Sequence, residues 1–232
     1  MVMIHGAGGS STTWFMQMRP LGRLAHVVAL DLNGHGQTPD RNAPDVTRSY
    51  LDDIETVVAE FDRPILVGHS MGGALSQLYA LKRPQDIRGL VLVGTGAKLK
   101  VLPIIFDLLD SNFEGYVEAA GRYMFTDTAD KSIVQSSQTE IRKCQVSVIK
   151  RDFAVCNGFD VMDTVNRITL PTLILVGQQD VMTPVKYAEY LAAKIAGSSL
   201  HIIPNAGHSV MLEQYKVFND AVAEWIREAH FA

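Results

Sequence analysis

A serine at the junction of an apolar strand and a small-residue helix constrains this chain more than any other feature. The run Pro64-Ile65-Leu66-Val67 leads directly into Gly68-His69-Ser70-Met71-Gly72, and Ala74-Leu75-Ser76-Gln77-Leu78-Tyr79-Ala80 follows with helical character. A serine with glycine two positions to either side, set between strand and helix, is the nucleophile-elbow pattern. The turn it specifies is sharp, so the hydroxyl stands clear of the chain. A side chain at Gly68 or Gly72 would collide with the adjoining strand and helix. The helix N-terminus then directs its positive dipole and free N–H groups at the site. A bare G-x-S-x-G recurs by chance, so the flanking strand and helix carry the argument against a plain βα turn.

The rest of the chain repeats the same rhythm. Strand-like apolar runs fall at Val2–Ile4, Val27–Leu30, Ile65–Val67, Leu90–Val93, Leu173–Val176 and His201–Ile203. Most are continuous rather than alternating, as expected of parallel strands buried on both faces. Helical patterns lie between them, around Thr13–Leu21, Tyr50–Glu60, Gly72–Lys82, Pro184–Ala196 and Glu213–Glu228. The alternation predicts an α/β fold with a doubly wound, mostly parallel sheet of about six strands. From Lys98 to Arg167 no strand-like run appears. Amphipathic helices are expected there at Leu102–Leu109, at Phe113–Met124 and, as one long element, near Lys131–Lys150. So long an excursion is read as a helical insertion over the carboxyl edge of the sheet, where ligands bind in such folds.

Composition narrows the class of protein. The 232 residues suffice for one α/β domain, and 47% hydrophobic with 20% charged residues is ordinary for a soluble globular enzyme. A net charge of −4 without a basic block gives no reason to invoke nucleic acid or an anionic membrane surface. The two cysteines, Cys144 and Cys156, make no disulfide framework and are expected to be free buried thiols. No apolar run approaches the ~20 residues that span a bilayer, so no stable membrane association is expected. The first residues lack the pattern of a signal peptide, which makes a cytoplasmic location the default expectation. The chain begins directly on what reads as a central strand, so a trimmed start and a naturally short one both stay open.

A serine hydroxyl needs an adjacent base, and the base needs an orienting carboxylate. In the elbow fold the chain order is serine, acid, histidine, with both partners on loops after later strands. Leu173–Val176 is followed by Gly177-Gln178-Gln179-Asp180, and His201–Ile203 by Pro204-Asn205-Ala206-Gly207-His208. Both loops leave the same edge of a parallel sheet as the elbow, so Ser70, Asp180 and His208 are expected to converge. The alternative for Asp180 is a helix N-cap, a role Thr183 before Pro184 fills better. Asp31 is the rival acid, but it precedes the serine and opens the turn-like loop Asp31-Leu32-Asn33-Gly34-His35-Gly36. Another rival position, after the strand that follows the elbow helix, reads Gly94-Thr95-Gly96 and holds no carboxylate. Donors for an oxyanion are expected at the N–H of Met71 and in the loop His5-Gly6-Ala7-Gly8-Gly9-Ser10, with Ala7 favoured over Gly8. That loop lacks the spacing of a nucleotide-phosphate loop. His69 and His5 read as packing or supporting residues. His26, His35, His201 and His230 show no metal-ligand spacing, and no metal is expected.

Taken together, these residues resemble the α/β-hydrolase superfamily, and within it the small capped esterases, enol-lactonases and related acyl hydrolases. The landmarks are His5-Gly6-Ala7-Gly8, Asp31–Gly36, Gly68–Gly72, Gly177–Asp180 and Ala206-Gly207-His208, in the family's order. The resemblance implies a Ser70–His208–Asp180 triad, an oxyanion hole at Ala7 and Met71, and no cofactor. It also implies a core of residues 1–97 and 166–232 with residues 98–165 as a cap over the active site. Three departures stand out. The two antiparallel strands that usually precede the His-Gly loop are missing, Asn33 stands where relatives carry Arg, and Glu213 is followed by Gln214-Tyr215 rather than by Pro. Ser70 separates the chain from dehalogenases and epoxide hydrolases of this fold, which use aspartate at the elbow. Gly9-Ser10 and His69 separate it from the carbon–carbon hydrolases.

The expected reaction is hydrolysis of carboxylic esters with small to medium, uncharged acyl groups, through an acyl-enzyme. Trp14, Met71, Ile105, Phe106, Phe125, Met182 and Val210 are candidates to line an apolar pocket, with core packing as the alternative for each. Arg122, Lys143 and Lys150 are the cations that could select an anionic substrate. Lactone hydrolysis, perhydrolysis or acyl transfer on the same triad stays open, as does a small-molecule receptor built on the scaffold. A small-molecule ester is the expected partner, and the oligomeric state is not legible.

Overall fold

The computed structural model describes residues 1–229; His230 lies outside the described residues. Six strands form one parallel sheet: β1 Val2–Ile4, β2 Val28–Leu30, β3 Ile65–His69, β4 Gly89–Val93, β5 Thr172–Gly177 and β6 Ser199–Ile203. Their spatial order is β2-β1-β3-β4-β5-β6. Successive side chains of the central strands feed opposite layers. Leu90 and Leu92 of β4, with Ile174 and Val176 of β5, enter one hydrophobic cluster. Val91, Val93, Leu173 and Leu175 enter the other. That is why these strands read as continuous apolar runs: both faces are covered.

Helices α2 (Val46–Val58), α3 (Met71–Lys82) and α8 (Val185–Lys194) cover the first face through Tyr50, Ile54, Leu75 and Leu191. Helices α1 (Phe15–Leu21), α9 (Val210–Glu213) and α10 (Tyr215–Glu228) cover the second through Leu21, Val210, Met211, Phe218 and Trp225. Full burial of one such side chain contributes roughly 1.5–3 kcal/mol. The helix expected at Thr13–Leu21 begins instead with a 3₁₀ turn, Ser11–Trp14, capped by Ser10 Oγ, which accepts from Thr12 N at 3.3 Å. Helix α2 starts earlier than Tyr50 because Asp45 caps it, accepting from Arg48 N at 2.9 Å.

Between β4 and β5 the chain forms α4 (Pro103–Ser111), α5 (Phe113–Tyr123), α6 (Lys131–Lys143) and α7 (Val146–Gly158). The single helix expected near Lys131–Lys150 is therefore two. Cys144 and Gln145 take extended backbone, with ψ of 136° and 137°, and end the helical ladder. The break lets Ile141 of α6 and both Ile149 and Phe153 of α7 reach one small core with Leu109, Tyr116 and Val117. A straight helix would carry one of these groups away from it. Cys156 is buried, but Cys144 at the break is partly exposed; both are free thiols. Among the described residues, no helix is long and apolar enough to cross a membrane.

The strand order positions the site. β1 lies between β2 and β3, so the direction of winding reverses between β1 and β3. A crevice opens at the carboxyl ends of strands at such a switch point. The loop after β1 begins at His5, and the elbow serine follows β3.

Candidate active site

Ser70 has φ of 52° and ψ of −113°, a left-handed backbone that a side-chain-bearing residue adopts at a cost of about 1–3 kcal/mol. Three hydrogen bonds hold it there. Ser70 N donates to the Val93 carbonyl at 2.9 Å, while its own carbonyl accepts from Thr95 Oγ1 at 2.9 Å and Ala74 N at 3.1 Å. The flanking glycines are steric necessities. A Cβ at Gly68 would sit 2.3 Å from the Gly72 carbonyl oxygen, and one at Gly72 would sit 2.3 Å from that of Ile4. Met71 is the first residue of α3, so its N–H has no acceptor within the helix.

Asp180 follows β5 and His208 follows β6 on neighbouring loops. Asp180 Oδ2 accepts from His208 Nδ1 at 2.9 Å and from Thr183 Oγ1 at 2.8 Å; Oδ1 accepts from the N–H groups of Met182 and Thr183, each at 2.8 Å. Burial opposes ionisation of this carboxyl. The His208 imidazole and the Thr183 donors outweigh that and hold it below the usual carboxylate range. An ionised Asp180 requires the His208 hydrogen on Nδ1, which leaves Nε2 free to accept a proton.

The histidine backbone is held as firmly as its ring. His69 Nε2 donates to the His208 carbonyl at 3.1 Å, with the two rings 4.7 Å apart. Burial, reinforced by His208, lowers the His69 pKa to about 3, so it stays a neutral donor. Glu213 accepts from Gly207 N at 2.7 Å and from Thr126 N and Oγ1, each at 2.8 Å, joining the His208 loop to the segment after α5. Gly94 connects His208 to the elbow. It follows Val93, the acceptor for Ser70 N, and a Cβ on it would lie 3.3 Å from His208 Nδ1.

The loop after β1 passes beside the serine: a Cβ at Gly6 would lie 3.3 Å from Ser70 Cβ. His5 Nδ1 donates to the Gly6 carbonyl at 2.8 Å, and its Nε2 accepts from Leu32 N at 3.2 Å. Burial lowers the His5 pKa to about 4, which preserves that tautomer. Gly8 N donates to Asp152 at 2.8 Å and so is committed elsewhere. Ala7, half-buried, is the loop residue next to Gly6. Asp31, the rival acid, accepts from Ser11 N at 2.6 Å and Gln37 N at 2.9 Å, which makes it a loop brace.

The expected pocket residues scatter. Trp14, Phe125 and Val210 sit in the second core layer, Trp14 packed against Phe218, and Met71 sits in the first. Ile105 and Phe106 flank the insertion's own core, and Met182 is 40% exposed just beyond Asp180. Phe125 also lines a concavity of about 320 Å³ with Arg122 and Thr126, and a larger one of about 530 Å³ lies between α2 and α7. Lys143 and Lys150 pair on the surface with Glu140 and Asp110.

Thr183 supports the acid rather than capping α8: its hydroxyl donates to Asp180, and Pro184 is the residue that precedes the helix. The buried group of Asp152, His35 and Tyr50 was not legible either, because its members come from three separate segments. Glu213 left a weak signal, an acid five residues after the histidine.

A thermophilic esterase of solved structure superposes with a TM-score of 0.87 at 31% sequence identity, over 98% of this chain and 89% of that one. Proline iminopeptidase PfmaB of Pestalotiopsis fici is 28% identical over 261 residues, covering 97% of this chain and 89% of its own length. The putative carbamate hydrolase RutD of Rhizobium rhizogenes is 25% identical over 242 residues, covering 97% and 92%. With an all-parallel sheet, an elbow serine after β3 and a sequence that matches the family over residues 1–221, this chain belongs to the alpha/beta hydrolase family.

Proposed function

We propose that this hydrolase cleaves carboxylic esters of small to medium acyl groups, with Ser70 as nucleophile, His208 as general base, Asp180 as its orienting acid, and the N–H groups of Ala7 and Met71 as the oxyanion hole. The observation that carries the reading is the buried Asp180–His208 hydrogen bond, together with the hydrogen bond from His69, the residue before the strained serine, to the His208 carbonyl. His208 Nε2 takes the Ser70 proton as Oγ attacks the ester carbonyl. The carbonyl oxygen gains charge and is met by the two N–H donors. Collapse expels the alcohol, which takes the proton from His208, and leaves an acyl-serine. Water, deprotonated by His208, then releases the acid and restores Ser70. Residues 98–165 act as the cap, since α7 and the segment after α5 both reach loops of the site. The likeness to a thermophilic esterase supports the choice of bond.

The test is hydrolysis of p-nitrophenyl esters from acetate to decanoate, with Ser70→Ala beside the wild type. Steady turnover, reduced ~10³-fold or more in the variant, is the expected result. Turnover that survives the substitution would end the reading. Similarity to a proline iminopeptidase and a carbamate hydrolase supports a second reading, cleavage of C–N bonds by the same residues. Prolyl p-nitroanilide and an aryl carbamate in the same plate separate the two.

A further inference from the structure

Asp152 of α7 is fully buried and collects hydrogen bonds from three segments of the core. Its Oδ2 accepts from Gly8 N and from His35 Nε2, each at 2.8 Å, and its Oδ1 accepts from the Tyr50 hydroxyl at 2.5 Å. No step of the proposed reaction uses it. A carboxylate sealed from water is costly to place unless each oxygen is satisfied and a cation lies beside it. Here both conditions hold. His35 Nδ1 is 3.2 Å from the Asn33 carbonyl while Nε2 faces Asp152, so both ring nitrogens donate and the ring is an imidazolium.

We infer that Asp152 is a positioning residue for the oxyanion loop, through which the α4–α7 insertion sets the alignment of the Ala7 N–H at Ser70. The inference rests on the ester-hydrolase reading of the site. Gly8 has φ of +64°, and its N–H belongs to the peptide immediately after Ala7. Fixing that N–H on a buried anion holds the peptide on one side of Ala7, and the Gly6–Ala7 peptide that carries the Ala7 N–H is held on the other, its carbonyl accepting from Gly9 N at 3.1 Å and from His5 Nδ1 at 2.8 Å. Ile149, one turn earlier on α7, stands over Gly8, where an added Cβ would come 3.3 Å from its Cγ1. Next to Asp152, Arg151 pairs with Asp40 at 2.8 Å and anchors the same end of α7 to the loop after β2. An oxyanion donor is effective only when it is held in place before charge develops, so this anchoring acts on the transition state and not on ground-state binding.

The test compares wild type, Asp152→Asn and Ser70→Ala by ester kinetics and by the rate of labelling with a fluorophosphonate, which reports attack by Ser70 whatever the natural substrate. Asp152→Asn removes the charge and turns one acceptor into a donor. The expected result is a fall of about 10-fold in kcat and in labelling rate, with KM changed less than about 2-fold. Should that variant fail to fold, Tyr50→Phe removes one donor and no charge, and a fall of about 3-fold in labelling at unchanged KM is expected. Unchanged labelling in a folded variant, or a loss confined to KM or to Tm, overturns the inference. Wild type that labels at Ser70 but turns over no ester contradicts the ester reading alone, and the labelling comparison still decides on Asp152. Wild type that does not label overturns both.

Discussion

His208 and Asp180 are joined through Nδ1 and Oδ2 at 2.9 Å across 28 residues of sequence, and their side chains are only 2% and 0% exposed. With the acid ionised, the bond admits one tautomer, the one whose Nε2 is free. Asp180→Asn keeps the shape but offers an amide N–H to Nδ1, which favours the opposite tautomer. A loss of about 10⁴-fold in kcat is expected, with KM changed little. Steady-state kinetics of the folded variant check this, and a loss below about 10-fold would remove Asp180 from the mechanism.

Asp180 also bears on the pH profile. Its native pKa is depressed, so its ionised form favours the fold above the unfolded value of ~3.9, and that contribution fades as pH falls through the lower native value. The carboxylate therefore stays charged through mild acid. Asp180 is therefore expected to add no proton of its own to any fall of log kcat/KM between pH 5 and 8. A two-proton slope there would contradict the assignment.

Thr183 donates to the same Asp180 oxygen that holds His208. Thr183→Val keeps the shape and deletes the donor. A loss of about 1–2 kcal/mol in stability and of about 10-fold in kcat is expected, because a buried acceptor loses one of its partners. Chemical denaturation and kinetics on one preparation measure both. An unchanged kcat would confine Thr183 to stability.

What was legible in the sequence followed from short-range rules. Continuous apolar runs at Leu90–Val93 and Leu173–Val176 announce strands covered on both faces, and Gly68–Gly72 announces the elbow by steric need alone. Chain order and strand ends single out Asp180 and His208, whose side chains the structure joins by a hydrogen bond. The break at Cys144-Gln145 was not legible, since neither residue is a helix stopper and the packing of Ile141 and Ile149 into one core decides it. Asp152 was hidden for a related reason. In sequence it is one acid on an amphipathic helix, and its partners Gly8, His35 and Tyr50 lie 102 to 144 residues away.

His35 supplies the last prediction, a loss of stability in alkali. Burial alone would depress its pKa, but the hydrogen bond to Asp152, joined by one to the Cys144 thiol, outweighs burial and raises it to about 10. In the unfolded chain the imidazole titrates near ~6.5. The native state thus holds a proton that the unfolded state releases. The stability this contributes is complete below ~6.5 and is lost as pH rises through about 10. Around the ring stand Asp152, the Cys144 thiol, His5, which stays neutral, Tyr50, which burial and Asp152 push well above its ordinary value, and Arg151, which is paired with Asp40. Wild-type Tm is expected to decline from pH 7 to pH 10. His35→Asn is expected to start lower at pH 7, by about 3–5 kcal/mol for a buried charge left without its partner, and to decline less steeply. Parallel slopes for the two proteins in thermal melts at pH 7, 8.5 and 10 would show that the His35–Asp152 pair is not what alkali breaks.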